Sequence, residues 1–514
     1  MARAFVFAQS GDCLLGGEVL HPAADPLAAA REELEEVLRN ARPEDFIILA
    51  GSGLGWHLEA VFERPAPPQV LVYEPDPGRL EAAMARGFDR PEVRRALEEA
   101  VTDEGRLAQA LGRRLVYGRA AGRVTVFSPR AYLRVEPELA ARAETLLAQT
   151  QARAVVNRRT RAVKTGLWLT HLAESVPLWL RLPDLTLLAG VLAGTPAVVV
   201  GAGPSLDASL PDLPGAWDRA LVLAAASALK PLAAAGLWPH LTLALEAQDE
   251  SRQFEGLSHD RTLLAAATAG HPHHFSKWSG PQALFHLQPW AARLAGLGRA
   301  LPSGGHVTSA AFSLAVLLGC DPIVLVGQDL AYTYGRTHAQ GRPGGEEEQR
   351  PETVEVEAIG GGRILSSPIM LSYILWYEES AARLGLSSRR TINATAAGAH
   401  LPGFEHRPLA EVLVELPPLT DDLGLLTQAV SRLPRPKASS LVQRLAETRV
   451  ELKAVSKALE ESGLDAARAL AAAESASAAA LEDAENEEEG RAGLAAMGAA
   501  LGRMRDLLHA SAGA

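Results

Sequence analysis

Residues 327–338 read GQDLAYTYGRTH. Gln328, Asp329, Tyr332, Tyr334, Arg336, Thr337 and His338 fall within eleven residues, a concentration of hydrogen-bonding and titratable groups that a purely structural loop rarely needs. Imidazole titrates near neutrality, so His338 is the candidate general base for drawing a proton from a hydroxyl. The alternative for any single histidine is a structural hydrogen bond. Asp329 is suited to orient Arg336 or His338, or to bind a hydroxyl; its alternative is capping the turn. Tyr332 and Tyr334 present phenol donors, or simply aromatic packing at a strand edge. His306 is a second, weaker base candidate.

A second cluster lies upstream, at VVVGAGPSL from Val198 to Leu206. Three branched apolar residues suit a strand covered on both faces. Gly201 and Gly203 permit a sharp turn and close approach to a ligand. Pro204 suits a first helical position, and Ser205 and Leu206 follow. The start of a helix has free N–H groups and a positive dipole end, so the turn is expected to hold a phosphate. It is neither a Walker loop nor a complete dinucleotide fingerprint, and glycine turns also occur without ligands. Ser227 and Gln248 follow later strands and are expected near a base or ribose. Gly305 and Thr308 open the helix before the next strand and are expected at the phosphate, with Gln328 after that strand.

The elements that must position these groups alternate between strand and helix. Strands are predicted at 197–200, 221–224, 241–245 and 323–326, with a buried helix over 308–318. This predicts a mainly parallel α/β sheet with right-handed crossovers, whose ligand edge lies at the strands' C-terminal ends. The expected organisation has four parts. Residues 1–150 form a Rossmann-like α/β domain, with a strand at 46–50, the glycine turn 51–55 and Glu74 closing the next strand. That acid is spaced to hold a ribose, although Trp56 stands where a last glycine belongs and makes the turn closer to a methyltransferase's. A structural domain with a vestigial pocket is the preferred reading. Residues 151–190 form a helical connector with Arg153, Arg158, Arg159, Arg161 and Lys164 on a basic face. Residues 191–415 form the central domain, with a glycine- and glutamate-rich loop at 340–363 read as a lid. Residues 416–514 form a C-terminal α-helical bundle. In it Leu441, Leu445, Thr448, Leu452, Val455 and Leu459 mark one seam, ending near Gly463, and Leu494, Met497, Leu501, Met504 and Leu508 another. The acidic run 482–489 lies between them.

The segments VVVGAGPSLDASL, ALKPLAAAGLWPHLTLALEAQ, GGHVTSAAFSLAVLLGC, VGQDLAYTYGRTHAQG and TINATAAGAHLPGFEHRPLAEVL resemble the motility-associated factor (Maf) family of bacterial flagellin glycosyltransferases. The resemblance covers roughly residues 40–415. The family's central domain is similar to sialyltransferases that use CMP-sialic acid, and its domain class also includes archaeal hydroxymethylpterin pyrophosphokinases. The resemblance therefore implies a sialyltransferase-like Rossmann domain that moves a nonulosonic acid, of pseudaminic or legionaminic type, from a CMP-sugar to Ser or Thr of flagellin. Tyr332 and Tyr334 would steady the departing phosphate and His338 would take the acceptor's proton. The sialyltransferases place their catalytic histidine in the region matching 365–367, where this chain has none. The expected donor is the CMP-sugar, with no further cofactor and no metal. Two alternatives stay open, namely a nucleotide-dependent pyrophosphokinase of the same domain class and a non-catalytic binding protein on the fold.

Composition narrows the field. A chain of 514 residues is long enough for two to four domains. A formal net charge of −11 argues against wholesale nucleic-acid binding. Cys13 and Cys320 are the only cysteines, too few for a disulfide framework or a cysteine-rich zinc site, and Cys320 sits in an apolar run that reads as core. His271, His273 and His274 cluster in one loop without a convincing metal-ligand spacing; Glu246, Asp249 and Glu250 would suit Mg²⁺ in a pyrophosphokinase. No stretch reads as a secretory signal or a membrane span, so a cytoplasmic location is expected.

Overall fold

The computed structural model describes residues 4–88, 90–104, 106–107, 110–111, 122–296, 298–341, 353–383, 389–419, 422–470, 476 and 487–512. The side chains of Arg153, Arg158, Arg159 and Arg161, the middle of the 340–363 loop and residues 482–486 of the acidic run lie outside that description. The chain divides into two compact units, Met1–Asn157 and Arg158–Ala514.

The first unit opens with three antiparallel strands, β1 (Phe5–Phe7), β2 (Cys13–Leu15) and β3 (Glu18–His21). A parallel sheet follows, formed by β4 (Phe46–Ala50), β5 (Gln69–Tyr73) and β6 (Val124–Phe127) in the order β5-β4-β6. All five residues of β4 are buried, as expected of a central strand covered on both faces. The glycine turn leads into a helix at Trp56–Phe62.

The second unit is built on one eight-stranded sheet. Its strands are β7 (Ala197–Val200), β8 (Leu221–Ala225), β9 (Leu241–Ala244), β10 (Leu263–Ala267), β11 (Gln282–Phe285), β12 (Ile323–Val326), β15 (Thr391–Asn393) and β16 (Glu405–His406). A hairpin of β13 (Val354–Glu357) and β14 (Arg363–Ser366) stands apart from it. The sheet order is β11-β10-β9-β8-β7-β12-β15-β16, and every pairing is parallel. From β7 the chain steps outward to β11. It then returns through the helix Val307–Leu318 to β12, on the other side of β7. The order reverses between β7 and β12, which opens a crevice above their C-terminal ends.

Alternate residues of β7 serve opposite faces. Ala197 and Val199 pack with Phe312 and Leu314 of the returning helix, whereas Val198 and Val200 pack with Leu206 and Leu213. Covering on both faces is why these strands read as unbroken apolar runs. Cys320 is fully buried in the first of these layers.

The C-terminal helices Ala438–Leu470 and Glu487–Ala512 pack their two seams together. They share a single apolar cluster with Leu264 of β10, Trp278 and Trp290, so they extend the core of this unit. The first helix runs past Gly463 to Leu470 instead of ending there. An interior glycine costs only about 1 kcal/mol against alanine, too little to stop a helix flanked by Glu, Leu and Ala. Among the described residues, no helix is long and apolar enough to cross a membrane.

Candidate functional site

A cavity of about 550 Å³ opens at the reversal between β7 and β12, a volume suited to a small-molecule ligand. Its wall comes from the ends of β7, β8, β9 and β12. Gly201 and Gly203 follow β7, Ala226 and Ser227 follow β8, Glu246, Glu250 and Gln253 follow β9, and Gln328, Asp329 and Tyr332 follow β12. Thr337 and His338 close one side, and His306, Val307 and Thr308 another. Among the expected site residues, Gly201, Gly203, Ser227, Thr308, Gln328, Asp329, Tyr332 and His338 line this one cavity.

The two glycines have a structural task that the sequence does not reveal. A Cβ on Gly203 would stand 2.1 Å from Asp329 Oδ1 and 2.7 Å from the Gly327 carbonyl oxygen. A Cβ on Gly201 would stand 2.5 Å from that carbonyl. Glycine is therefore required for the loops after β7 and β12 to meet. Asp329 completes the junction, with Ser205 donating to it through its amide (3.0 Å) and its hydroxyl (2.6 Å).

This geometry corrects the expected phosphate turn. The Ser205 amide is already held by a carboxylate of the chain itself. Ser205 is the N-cap of a single helical turn, Leu206–Ser209, and Pro204 precedes that cap instead of opening the helix. Pro204, Ser205 and Leu206 lie behind the cavity wall and do not line it. The 12-residue helix Val307–Leu318 also begins at the cavity, where His306, Val307 and Thr308 face it. Free N–H groups and the positive end of the macrodipole meet there.

Asp329 acts as the turn cap. Burial pushes its carboxyl up to about 6 despite the bonds from Ser205. Arg336 pairs with Asp207 at 3.1 Å, so it is not the partner expected for Asp329. Leu330 and Tyr334 have φ of +48° and +54° and are the only non-glycine residues with left-handed backbone among the described residues. Both lie in the loop after β12, and backbone strain of this kind concentrates at functional sites.

The two tyrosines part company. Tyr332 is 9% exposed and lines the cavity, whereas Tyr334 is 65% exposed and does not. Gln248 is exposed and outside the wall, whereas Gln253 lines it. Gly305 also stands outside it, at φ +89°, in the turn before the helix. His338 Nδ1 lies 3.0 Å from the Thr337 hydroxyl. His306 Nδ1 lies 2.7 Å from Thr308 Oγ1 and its ring packs on Tyr373, with centroids 4.2 Å apart. Burial lowers His306 to about 3, so it is a neutral hydrogen-bonding group, poorly suited to be the base.

Several lining residues escaped the sequence reading. Tyr373, Ile369 and Met370 come from the helix Pro368–Arg383, whose apolar run reads as core, and Ser367 precedes it. His274, a member of the histidine cluster at 271–274, is buried, and desolvation lowers it to about 4. The spacing Tyr373–Tyr377 was the available signal for an aromatic face on that helix.

In the first unit the glycine turn is filled by the chain itself. Cβ atoms on Gly51, Gly53 and Gly55 would strike Tyr132, His21 and Phe88 at 2.7, 2.6 and 2.7 Å. Glu74, the acid spaced for a ribose, is fully buried. It accepts from the Ser52 amide (3.1 Å) and the Tyr132 hydroxyl (2.7 Å). Its other oxygen faces Arg79 at 3.5 Å.

Comparison with known proteins agrees with this architecture. Residues 171–335, less than half of the chain, match the family described as 6-hydroxymethylpterin diphosphokinase MptE-like. No curated protein matches in sequence. The solved structure of a Maf glycosyltransferase from Magnetospirillum magneticum AMB-1 is similar, with a TM-score of 0.54 and 16% identity, over 99% of this chain and 90% of that one. At that identity the likeness establishes a common fold. The matched stretch contains the GPSL and GQDLAYT segments that carry the resemblance noted in the sequence.

Proposed function

We propose that the second unit is a glycosyltransferase that moves a nonulosonic acid from a CMP-sugar to a Ser or Thr hydroxyl of flagellin. The observation that carries this reading is the cavity at the strand-order reversal. It gathers His338, Tyr332 and the helix start at Thr308, on a fold shared with a Maf glycosyltransferase. In this reading the bond between the anomeric carbon and the CMP phosphate oxygen breaks, and its electron pair leaves with the phosphate. The acceptor oxygen bonds to the anomeric carbon and gives its proton to His338. The Tyr332 hydroxyl and the amides around Thr308 share the charge on the departing phosphate. The activated sugar is the donor, and no further cofactor is needed.

One observation favours a second reading. Among the described residues the cavity wall carries Glu246, Glu250 and Asp329 but no lysine or arginine. Glu246 and Glu250 would suit Mg²⁺ in a nucleotide-dependent pyrophosphokinase, the activity named for the family matched at residues 171–335. Calorimetry with CMP, and separately with ATP plus Mg²⁺, distinguishes the two. The transferase reading expects CMP binding that survives His338→Gln, while turnover falls roughly 10²- to 10⁴-fold. ATP–Mg²⁺ binding without a CMP response would overturn it.

A further inference from the structure

The loops after β9 and β10 bring together Asp249, His271 and His273. One ligand atom from each lies within 4.8 Å of the other two. His273 Nδ1 is 2.6 Å from Asp249 Oδ2, and His271 Nδ1 is 3.9 Å from Asp249 Oδ1.

The cluster is braced by its surroundings. The His271 amide donates to the Glu246 carbonyl at 2.8 Å, linking the two loops. The Ser251 amide donates to Asp249 Oδ1 at 3.0 Å. The His273 amide donates to His271 Nδ1 at 3.2 Å, leaving Nε2 of that ring as its other nitrogen. His171 meets the His271 ring edge-on, with centroids 5.1 Å apart. Second-sphere contacts of this kind fix ligand rings in known metal sites.

We propose that Asp249, His271 and His273 form a binding site for a divalent transition metal of the zinc class. Two imidazoles and one carboxylate suit such an ion, whereas Mg²⁺ prefers oxygen ligands throughout. A tetrahedral ion with bonds of about 2.0–2.2 Å separates its ligand atoms by roughly 3.3–3.6 Å, within the 4.8 Å that already bounds the three ligand atoms. On binding, the metal replaces the hydrogen bond between His273 Nδ1 and Asp249, each ligand coordinating in its deprotonated form and the displaced proton passing to solvent or to the ring's other nitrogen. Three protein ligands leave one coordination position for water. Glu246 and Glu250 line the cavity from the same β9 loop, so the ion would tie that part of the cavity wall to the β10 loop. The site depends on these side chains alone and stands whichever transfer the cavity performs.

The test is a titration of metal-stripped, full-length protein with Co²⁺, read by visible absorption and followed by competition with Zn²⁺ and Mg²⁺. One equivalent should bind and be displaced by Zn²⁺ but not by millimolar Mg²⁺. His273→Ala and Asp249→Asn alter exposed side chains and should each weaken binding on the order of 100-fold; His509→Ala, at an exposed histidine on the last helix, should leave it unchanged. Absence of binding, equal binding in all variants, or displacement by Mg²⁺ would each overturn the assignment.

Discussion

Replacing Asp329 by asparagine should alter the pH dependence of stability in a calculable way. The side chain is 2% exposed and burial raises its carboxyl from 3.8 to about 6. A folded value above the unfolded one means that the protonated form favours folding. Its stabilising contribution is complete below pH 3.8 and is lost as the pH rises through about 6. The difference between the two values corresponds to about 3 kcal/mol. Asparagine does not titrate but offers one oxygen where the carboxyl offers two to Ser205, so below pH 4 the variant should be less stable by about 1–3 kcal/mol. That deficit should close or reverse by pH 7.5. Urea unfolding followed by tryptophan fluorescence is the assay, because seven of the eight tryptophans lie in the second unit. Asp184, also pushed up to about 6 by burial, titrates in both proteins and cancels in the difference. A difference that stays constant within about 0.5 kcal/mol from pH 4 to 7.5 would refute the assignment of Asp329 as a buried, high-pKa cap.

Two further perturbations test the packing around each glycine turn. Gly203→Ala forces a methyl group to within 2.1 Å of Asp329 Oδ1; it should cost about 1–3 kcal/mol in unfolding experiments and, on the proposed transferase reading, abolish CMP binding by calorimetry, and an alanine variant with unchanged stability would show that the two loops do not meet as described. Arg79→Ala strips Glu74 of its nearest cation and leaves Glu136 without its bond from Arg79; loss of a partner from a buried ion pair should destabilise the first unit by about 3–5 kcal/mol, measured by amide exchange in β4 and β5.

The elements of the site were legible locally, but their orientation was not. Branched apolar runs at 197–200 and 323–326 marked the strands because a strand buried on both faces tolerates little else. The polar set from Gln328 to His338 stood out for its density. What the set faces depends on residues far along the chain. Asp329 meets Ser205 across 124 positions, and no periodicity encodes that pairing. Tyr332 and Tyr334 differ by one full strand period in sequence. The left-handed backbone at Tyr334 sends one ring inward and the other to solvent. Gly463 looked like a helix end because local propensity marks it so, yet the helix continues for seven residues.

By itself, then, the sequence determined the α/β class, the strands that carry the site and the residue types gathered after β7 and β12. Those follow from local preferences, since burial selects apolar residues and turns select glycine. Tertiary structure alone decided the rest. It showed that Gly201 and Gly203 make room for a neighbouring loop, that the Ser205 amide is closed to an external anion, and that the helix at Val307 presents its start to the cavity. It also brought Tyr373 into the wall and His271 and His273 beside Asp249. The reason is physical: a hydrogen bond, a van der Waals contact or a metal ligand set depends on separations in space, and the chain fixes those only when its sheet has assembled.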